Sequence, residues 1–342
     1  MKRVFLLFLT LVLCLPFAFS QVGDSSVIFF QKALDEKNKR LFMVAYNDFQ
    51  RSLQFRSDNV DAQRELGLTA VELRKYENAR MAFLKVNELK KDDPVAIENL
   101  ANLYFWTRQW KEAIVFAEKA QQLNVGKNWN YMLGKCYNEL EDFGKASRYL
   151  QAAAKEDSAN AEIPYLIARG FVDMNNYKSA IPFFKRAIFL DSSKNRWIYE
   201  CALTYATILD DRSAIQYYQL AASKGYKTDN DFYEYLSDSY VASGQMQKGL
   251  DIMLKLLEKK PADPDLLYSI AHSYYRMGKY DQAIDYWDRV LSLDKENARS
   301  LYMIGMAYQK KGDTGKGKQL CDKAIQMDPS LKNLKQEKRI VM

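Results

Sequence analysis

One spacing restricts this chain more than any other property: small residues return at two fixed places in a unit of about 34 residues. With units starting near 26, 60, 94, 127, 161, 195, 230, 264 and 298, the eighth position reads Ala33, Gly67, Ala101, Gly134, Ala168, Ala202, Ser237, Ala271 and Gly305. The twentieth reads Ala45, Ala79, Ala113, Ala146, Ala180, Ala214, Gly249, Ala283 and Gly317. Between them the eleventh is usually a ring, as at Tyr104, Tyr137, Phe171, Tyr205, Tyr240, Tyr274 and Tyr308. Small residues let two backbones approach, and a large ring fills the space beside the contact. Apolar residues follow helical spacing, for example Leu267, Ile270, Ala271 and Tyr274, then Tyr280, Ala283, Ile284 and Trp287. Gly244, Gly278 and Gly312 at the fifteenth position mark a turn between the two halves. Pro261 and Pro329 stand near the thirty-second position, where a helix must stop. Each unit is predicted to be a helical hairpin.

This pattern resembles the tetratricopeptide repeat family, and the eighth unit carries it through Leu267, Ile270, Ala271, Tyr274, Ala283 and Trp287. The resemblance implies an all-α fold, a right-handed α-solenoid of about nine tetratricopeptide helical hairpins over residues 26–331. Some units depart from the pattern. The first has Lys32 and Glu36 at positions that are usually apolar, which predicts a terminal cap or a poorly formed hairpin. The third is one residue short. The extra Asp229 and the run "ASKGYKTDN" predict a local change of pitch around residues 222–232.

The two ends differ from the array. "MKR", an apolar run from Val4 to Leu15 and small residues at Ala18 and Ser20 predict a cleaved signal peptide over 1–20, followed by a short leader at 21–25. A weaker alternative is lipidation at Cys14, but Leu13 is not the small residue that normally precedes a lipidated cysteine. The expected location is therefore outside the cytoplasm: periplasmic, outer-membrane-associated or secreted, most simply in a bacterium. Residues 332–342 form a basic C-terminal cap or tail. From Tyr308 onward nine Lys/Arg face four Asp/Glu, so much of the chain's net charge of +7 belongs to one end. A nucleic-acid-binding face is not indicated.

Chemistry is sparse in this pattern. His272 is the only histidine, which leaves no histidine relay or histidine-rich metal site, and no pair of acids stands out for acid–base work. Cys136, Cys201 and Cys321 are widely spaced without any C-x-x-C pair and read as small core residues. The stretch "GDTGKGK" at 312–318 has phosphate-loop spacing, but it follows a helix and ends in Gln319 in place of Ser or Thr. Gly312 and Gly317 instead occupy the turn and packing positions of the ninth unit. Neither a cofactor nor a nucleotide is expected.

What the resemblance implies is a concave groove lined by first helices, chiefly through positions 2, 5, 9, 12 and 13. The candidate groove residues are Asn102, Tyr131, Lys135, Tyr165, Arg169, Tyr199, Asp238, Tyr268, His272 and Tyr302. A tyrosine-rich strip edged by charge suits an extended peptide, because rings give contact area at low entropy cost. The expected function is a non-catalytic protein–protein interaction scaffold. The alternative is a glycan-binding module using the same tyrosines. The family's carboxylate clamp is not matched, since Asn102 is accompanied by Glu98 and not by lysine.

Overall fold

A computed structural model describes residues 25–335. The expected signal peptide, nearly all of the leader and most of the basic tail lie outside the described residues. Within them the chain forms eighteen α-helices, paired in sequence as nine hairpins, and one closing 3₁₀ segment. Hairpins one to three are α1 (25–38) with α2 (Phe42–Phe55), α3 (Val60–Glu72) with α4 (Tyr76–Leu89), and α5 (Pro94–Trp106) with α6 (Trp110–Gln122). Hairpins four to six are α7 (Trp129–Glu139) with α8 (Phe143–Glu156), α9 (Glu162–Asp173) with α10 (Tyr177–Leu190), and α11 (Asn195–Thr207) with α12 (Asp211–Ser223). Hairpins seven to nine are α13 (Asn230–Ala242) with α14 (Met246–Lys259), α15 (Pro264–Arg276) with α16 (Tyr280–Leu293), and α17 (Ala298–Lys311) with α18 (Thr314–Met327). A 3₁₀ segment, Pro329–Lys335, follows. The helices group into two compact units, one ending at Gly170 and the other beginning at Phe171. Among the described residues no helix is long and apolar enough to cross a membrane.

The close approach expected at positions 8 and 20 is what fixes each hairpin. A Cβ on Gly67 would lie 2.8 Å from the Phe83 ring, and one on Gly134 would lie 2.6 Å from Leu150. In hairpin nine the two glycines face each other's backbone: a Cβ on Gly305 would meet the Gly317 carbonyl at 2.8 Å, and one on Gly317 the Gly305 carbonyl at 2.5 Å. Around these contacts Phe49, Phe83, Phe184, Tyr218 and Trp287 are fully buried, each adding about 1.5–3 kcal/mol of apolar stabilisation. The eleventh-position ring stacks on the twenty-third in several hairpins. Tyr104–Phe116, Tyr137–Tyr149, Tyr205–Tyr217 and Tyr274–Tyr286 have centroids 5.2–5.6 Å apart.

All nine hairpin turns share one backbone conformation. Position 15 is left-handed in each, at Arg40, Arg74, Arg108, Glu141, Asn175, Leu209, Gly244, Gly278 and Gly312, with φ from 56° to 100°. The N–H of the next residue returns to the carbonyl of position 11, as in Lys75 to Ala70, Asp210 to Tyr205 and Asp313 to Tyr308. This is the Schellman closure, which satisfies carbonyls left open at the end of the first helix. Gly312 is therefore a turn residue and Gly317 a packing residue inside α18, as their repeat positions indicate.

Hairpin one is complete, which corrects the expectation that it could be poorly formed. Lys32 reaches Asp48 at 2.6 Å and Glu36 at 3.6 Å, and Arg51 reaches Asp48 at 3.1 Å. Ion pairs thus replace the usual apolar contact around Asp48, which is only 2% exposed. Phe29 stacks on Phe55, and the Ser52 hydroxyl donates to the Ser26 carbonyl, closing the antiparallel pair. Connections between hairpins are mostly four residues long, but those at 123–128 and 224–229 have six. The second contains the extra Asp229, which caps α13 by accepting from the Phe232 amide.

Candidate functional site

The first helices place positions 5 and 9 one helical turn apart on a single face. In hairpin four these are Tyr131 and Lys135, both half-buried. They converge on one acid from the next hairpin: the Tyr131 hydroxyl donates to Glu162 Oε2 at 2.8 Å, and Lys135 Nζ donates to Glu162 Oε1 at 2.8 Å. Burial, then the Glu162 contact, pushes the Tyr131 hydroxyl well above its usual range. Tyr165 and Arg169 continue the face on α9, half-buried. In hairpin two the same position holds Arg64, which bridges Asp61 at 2.6 Å and the buried Asp93 at 2.8 Å. Asn102, in hairpin three, is half-buried.

In the second unit Tyr268 is covered by Arg299, whose guanidinium carbon lies 4.8 Å from the ring centroid. His272 is half-buried, and burial together with Arg276 and Arg299 holds its pKa below the ordinary value. Asp238 is exposed, yet the surrounding protein desolvates its carboxyl; that and the nearby Glu234 and Asp211 push its pKa up.

Two predicted groove residues take different places. Tyr302 is 4% exposed and packs with Ala298, Cys321, Ala324 and Leu331, the last supplied by the closing 3₁₀ segment. Tyr199 stacks on Tyr226 at 4.3 Å and lies 5.8–5.9 Å from Tyr218 and Phe232. Position 5 faces the neighbouring hairpin closely enough that a tyrosine there becomes packing wherever an apolar neighbour reaches it. Sequence reading missed Glu162 and Arg299 as partners of the strip. Both stand at position 2 of the following hairpin, so reading that position across units would have found them.

The remaining chemistry is quiet. Cys136, Cys201 and Cys321 are buried thiols outside any disulfide, and burial pushes the Cys136 and Cys201 thiols up to about 12. Among the described residues no group of His, Cys, Asp and Glu is placed to hold a metal ion. An open hollow of about 410 Å³ beneath the 123–128 connection is lined by Asn124, Gly126, Trp129 and Glu156, none of them a predicted site residue.

Paired small residues, a shared Schellman turn and a first-helix face carrying partly exposed polar groups define the class: this is a tetratricopeptide repeat protein, an all-α repeat solenoid. Family models described as tetratricopeptide repeat match residues 264–297 and 298–331, hairpins eight and nine. A model described as anaphase-promoting complex, cyclosome, subunit 3 matches residues 106–187. Outer dynein arm-docking complex subunit 4 of Xenopus laevis is 28% identical over 138 residues, covering 37% of this chain and 26% of that protein. The chain therefore corresponds to well under half of the length of that relative. Among solved structures, YrrB, a TPR protein described as having an unusual peptide-binding site, is 22% identical over 53% of this chain and 92% of its own, with a TM-score of 0.43. A MamA fragment from Desulfovibrio magneticus RS-1 is 14% identical over 50% of this chain and 96% of its own, with a TM-score of 0.44.

Proposed function

We propose that this protein is a non-catalytic scaffold that binds an extended segment of another protein along its first helices, and that it works outside the cytoplasm. The observation that carries the reading is the row of half-buried position-5 and position-9 side chains, with Tyr131 and Lys135 held from the next hairpin by Glu162. Such a row offers ring surface of low entropy cost together with polar tips fixed in place before binding. Glycan binding gains nothing from the geometry. It needs exposed ring faces, whereas Tyr302 is buried and Tyr199 is stacked within the chain.

Photo-crosslinking amino acids test the binding face when placed at Asn102 and His272 on first helices, and at the exposed Val115 and Phe189 on second helices. Polypeptide adducts should form at the first pair in excess over the second. Equal yields would refute a first-helix site. Export is tested separately, by mass spectrometry of the mature protein for a chain beginning at Gln21. An intact Met1 in the envelope-free fraction would refute it.

A further inference from the structure

The turns of hairpins one, two and three carry side chains that the fold does not use. Their left-handed residues are Arg40, Arg74 and Arg108, with φ 59°, 56° and 57°. Glycine holds the same position at Gly244, Gly278 and Gly312, so the turn accepts a residue free of this strain, yet three successive hairpins place arginine there. All three arginines are exposed, and among the described residues none of them has an ion-pair partner. A strained position whose side chain does nothing within the chain points to a role outside it.

The three turns touch one another and form a continuous edge. Lys75 Nζ lies 3.7 Å from Met43 Sδ and 4.3 Å from the Tyr46 ring centroid, which joins the second turn to hairpin one. The Tyr76 ring lies 6.0 Å from Trp106, and Arg80 lies 5.5 Å from the Tyr104 centroid, which joins it to hairpin three. Large apolar side chains stand between the bases: Leu41 is 50% exposed, Met43 48% and Trp106 53%. Segments 38–44, 72–78 and 106–112 together hold six bases against three acids, and one of those acids, Glu77, is taken by Arg80 at 2.5 Å. In the matching segment of hairpin four, 139–145, the sign reverses, with Glu139, Glu141 and Asp142 against Lys145.

This combination fits the boundary of an anionic lipid layer, where guanidinium groups meet phosphates and apolar tips enter the edge of the acyl region. An acidic polypeptide would satisfy the bases but has no use for Leu41, Met43 and Trp106. We propose that the turn edge of hairpins one to three docks on an anionic lipid surface, with Arg40, Arg74 and Arg108 on the headgroups and Leu41, Met43 and Trp106 in the headgroup boundary. The inference does not rest on peptide binding at positions 5 and 9 of the first helices.

Co-sedimentation of the full-length protein with vesicles of phosphatidylcholine, alone or with about a third phosphatidylglycerol, tests it. Wild type should partition onto the anionic vesicles at least about tenfold more strongly than onto the neutral ones, and less so in high salt. Arg40→Gly, Arg74→Gly and Arg108→Gly together should remove that preference. Because glycine suits this turn, the triple variant should keep its far-ultraviolet spectrum and melt no lower than wild type, which separates lost docking from lost fold. Trp106→Ser should weaken adhesion and leave its salt dependence in place. Neutral vesicles register any contribution of the apolar run from Val4 to Leu15, which every variant shares. Equal partitioning of wild type onto both vesicles would overturn the inference, as would an undiminished anionic preference in the triple variant. Capture of a polyglutamate peptide by wild type without retention on anionic vesicles would also overturn it and assign the edge to an acidic polypeptide.

Discussion

Leu209 carries the clearest energetic signature of the repeated turn. Its backbone is left-handed, with φ 62°, while its side chain is 82% exposed. An L-residue with a Cβ pays about 1–2 kcal/mol in that region, because the Cβ crowds the following carbonyl. Glycine pays almost nothing there but has more freedom to lose from the unfolded chain, a cost of about 0.4–1 kcal/mol. Since the exposed leucine gives up little packing, Leu209→Gly should stabilise the second unit by about 0.5–1 kcal/mol, a rise of about 1–4 °C in Tm. Leu209→Ala keeps the Cβ and should be close to neutral. The mirror change is Gly244→Ala at the same position of the next hairpin, where an added Cβ meets nothing within 4 Å. Its whole cost is then backbone strain, and it should lower stability by about 1 kcal/mol. Urea and thermal melts followed by circular dichroism read all three. A Leu209→Gly protein no more stable than wild type, beside a neutral Gly244→Ala, would refute the claim that turn strain is stored at position 15.

Three further outcomes follow from packing and charge. Gly305→Ala forces a methyl group against the Gly317 carbonyl and Cys321, and should cost about 1–3 kcal/mol by overpacking; an unshifted melt would mean that α17 and α18 can separate freely. At Asp93 burial opposes ionisation, but the hydrogen bonds from Arg64 and the Ala96 amide, with help from Lys90, outweigh it and lower the pKa. That contribution is complete above the ordinary carboxylate value of 3.8 and is lost as pH falls through the lower folded value, so Arg64→Met should flatten the acid limb of first-unit stability. An acid limb identical to wild type would exclude this pair as its source. Asp238 has the opposite sign: its raised pKa makes the charged form unfavourable in the fold, so stability falls as pH rises past the ordinary value. Asp238→Asn should therefore melt higher at neutral pH, and a lower melt would show that the carboxylate is already satisfied within the chain.

The packing positions were legible in the sequence because a backbone contact accepts only Ala, Gly or Ser, and that restriction survives in every unit. The turn was legible only in part. Gly244, Gly278 and Gly312 announce a left-handed residue, whereas Arg74, Glu141 and Leu209 adopt the same conformation under tertiary constraint and leave no local trace. Hairpin one looked deficient because Lys32 and Glu36 were read singly; Asp48, the acid that pairs with Lys32, lies in the second helix at the twenty-third position, where several other hairpins carry a ring. The candidate strip shows the same limit. Position 5 identified Tyr131 and Tyr268 as members of the face, but whether a tyrosine there is reachable depends on what the next hairpin or the closing segment lays against it. Tyr302 is covered by such a segment, and the isolation of the Tyr218 hydroxyl was invisible because it is a property of the surrounding space, not of spacing along the chain.

The two six-residue connections have a consequence of their own. They follow the third and the sixth hairpins, and every other junction is shorter, so a slower rhythm of three hairpins is laid over the rapid one of single repeats. The first long junction has left-handed residues at Asn124, Gly126 and Asn128, and the second has one at Gly225. Each border between three-hairpin blocks therefore carries a longer connection than any junction within a block. Those borders are where the chain could gain or lose a block of three without cutting through any of the buried small-residue contacts on which each hairpin depends.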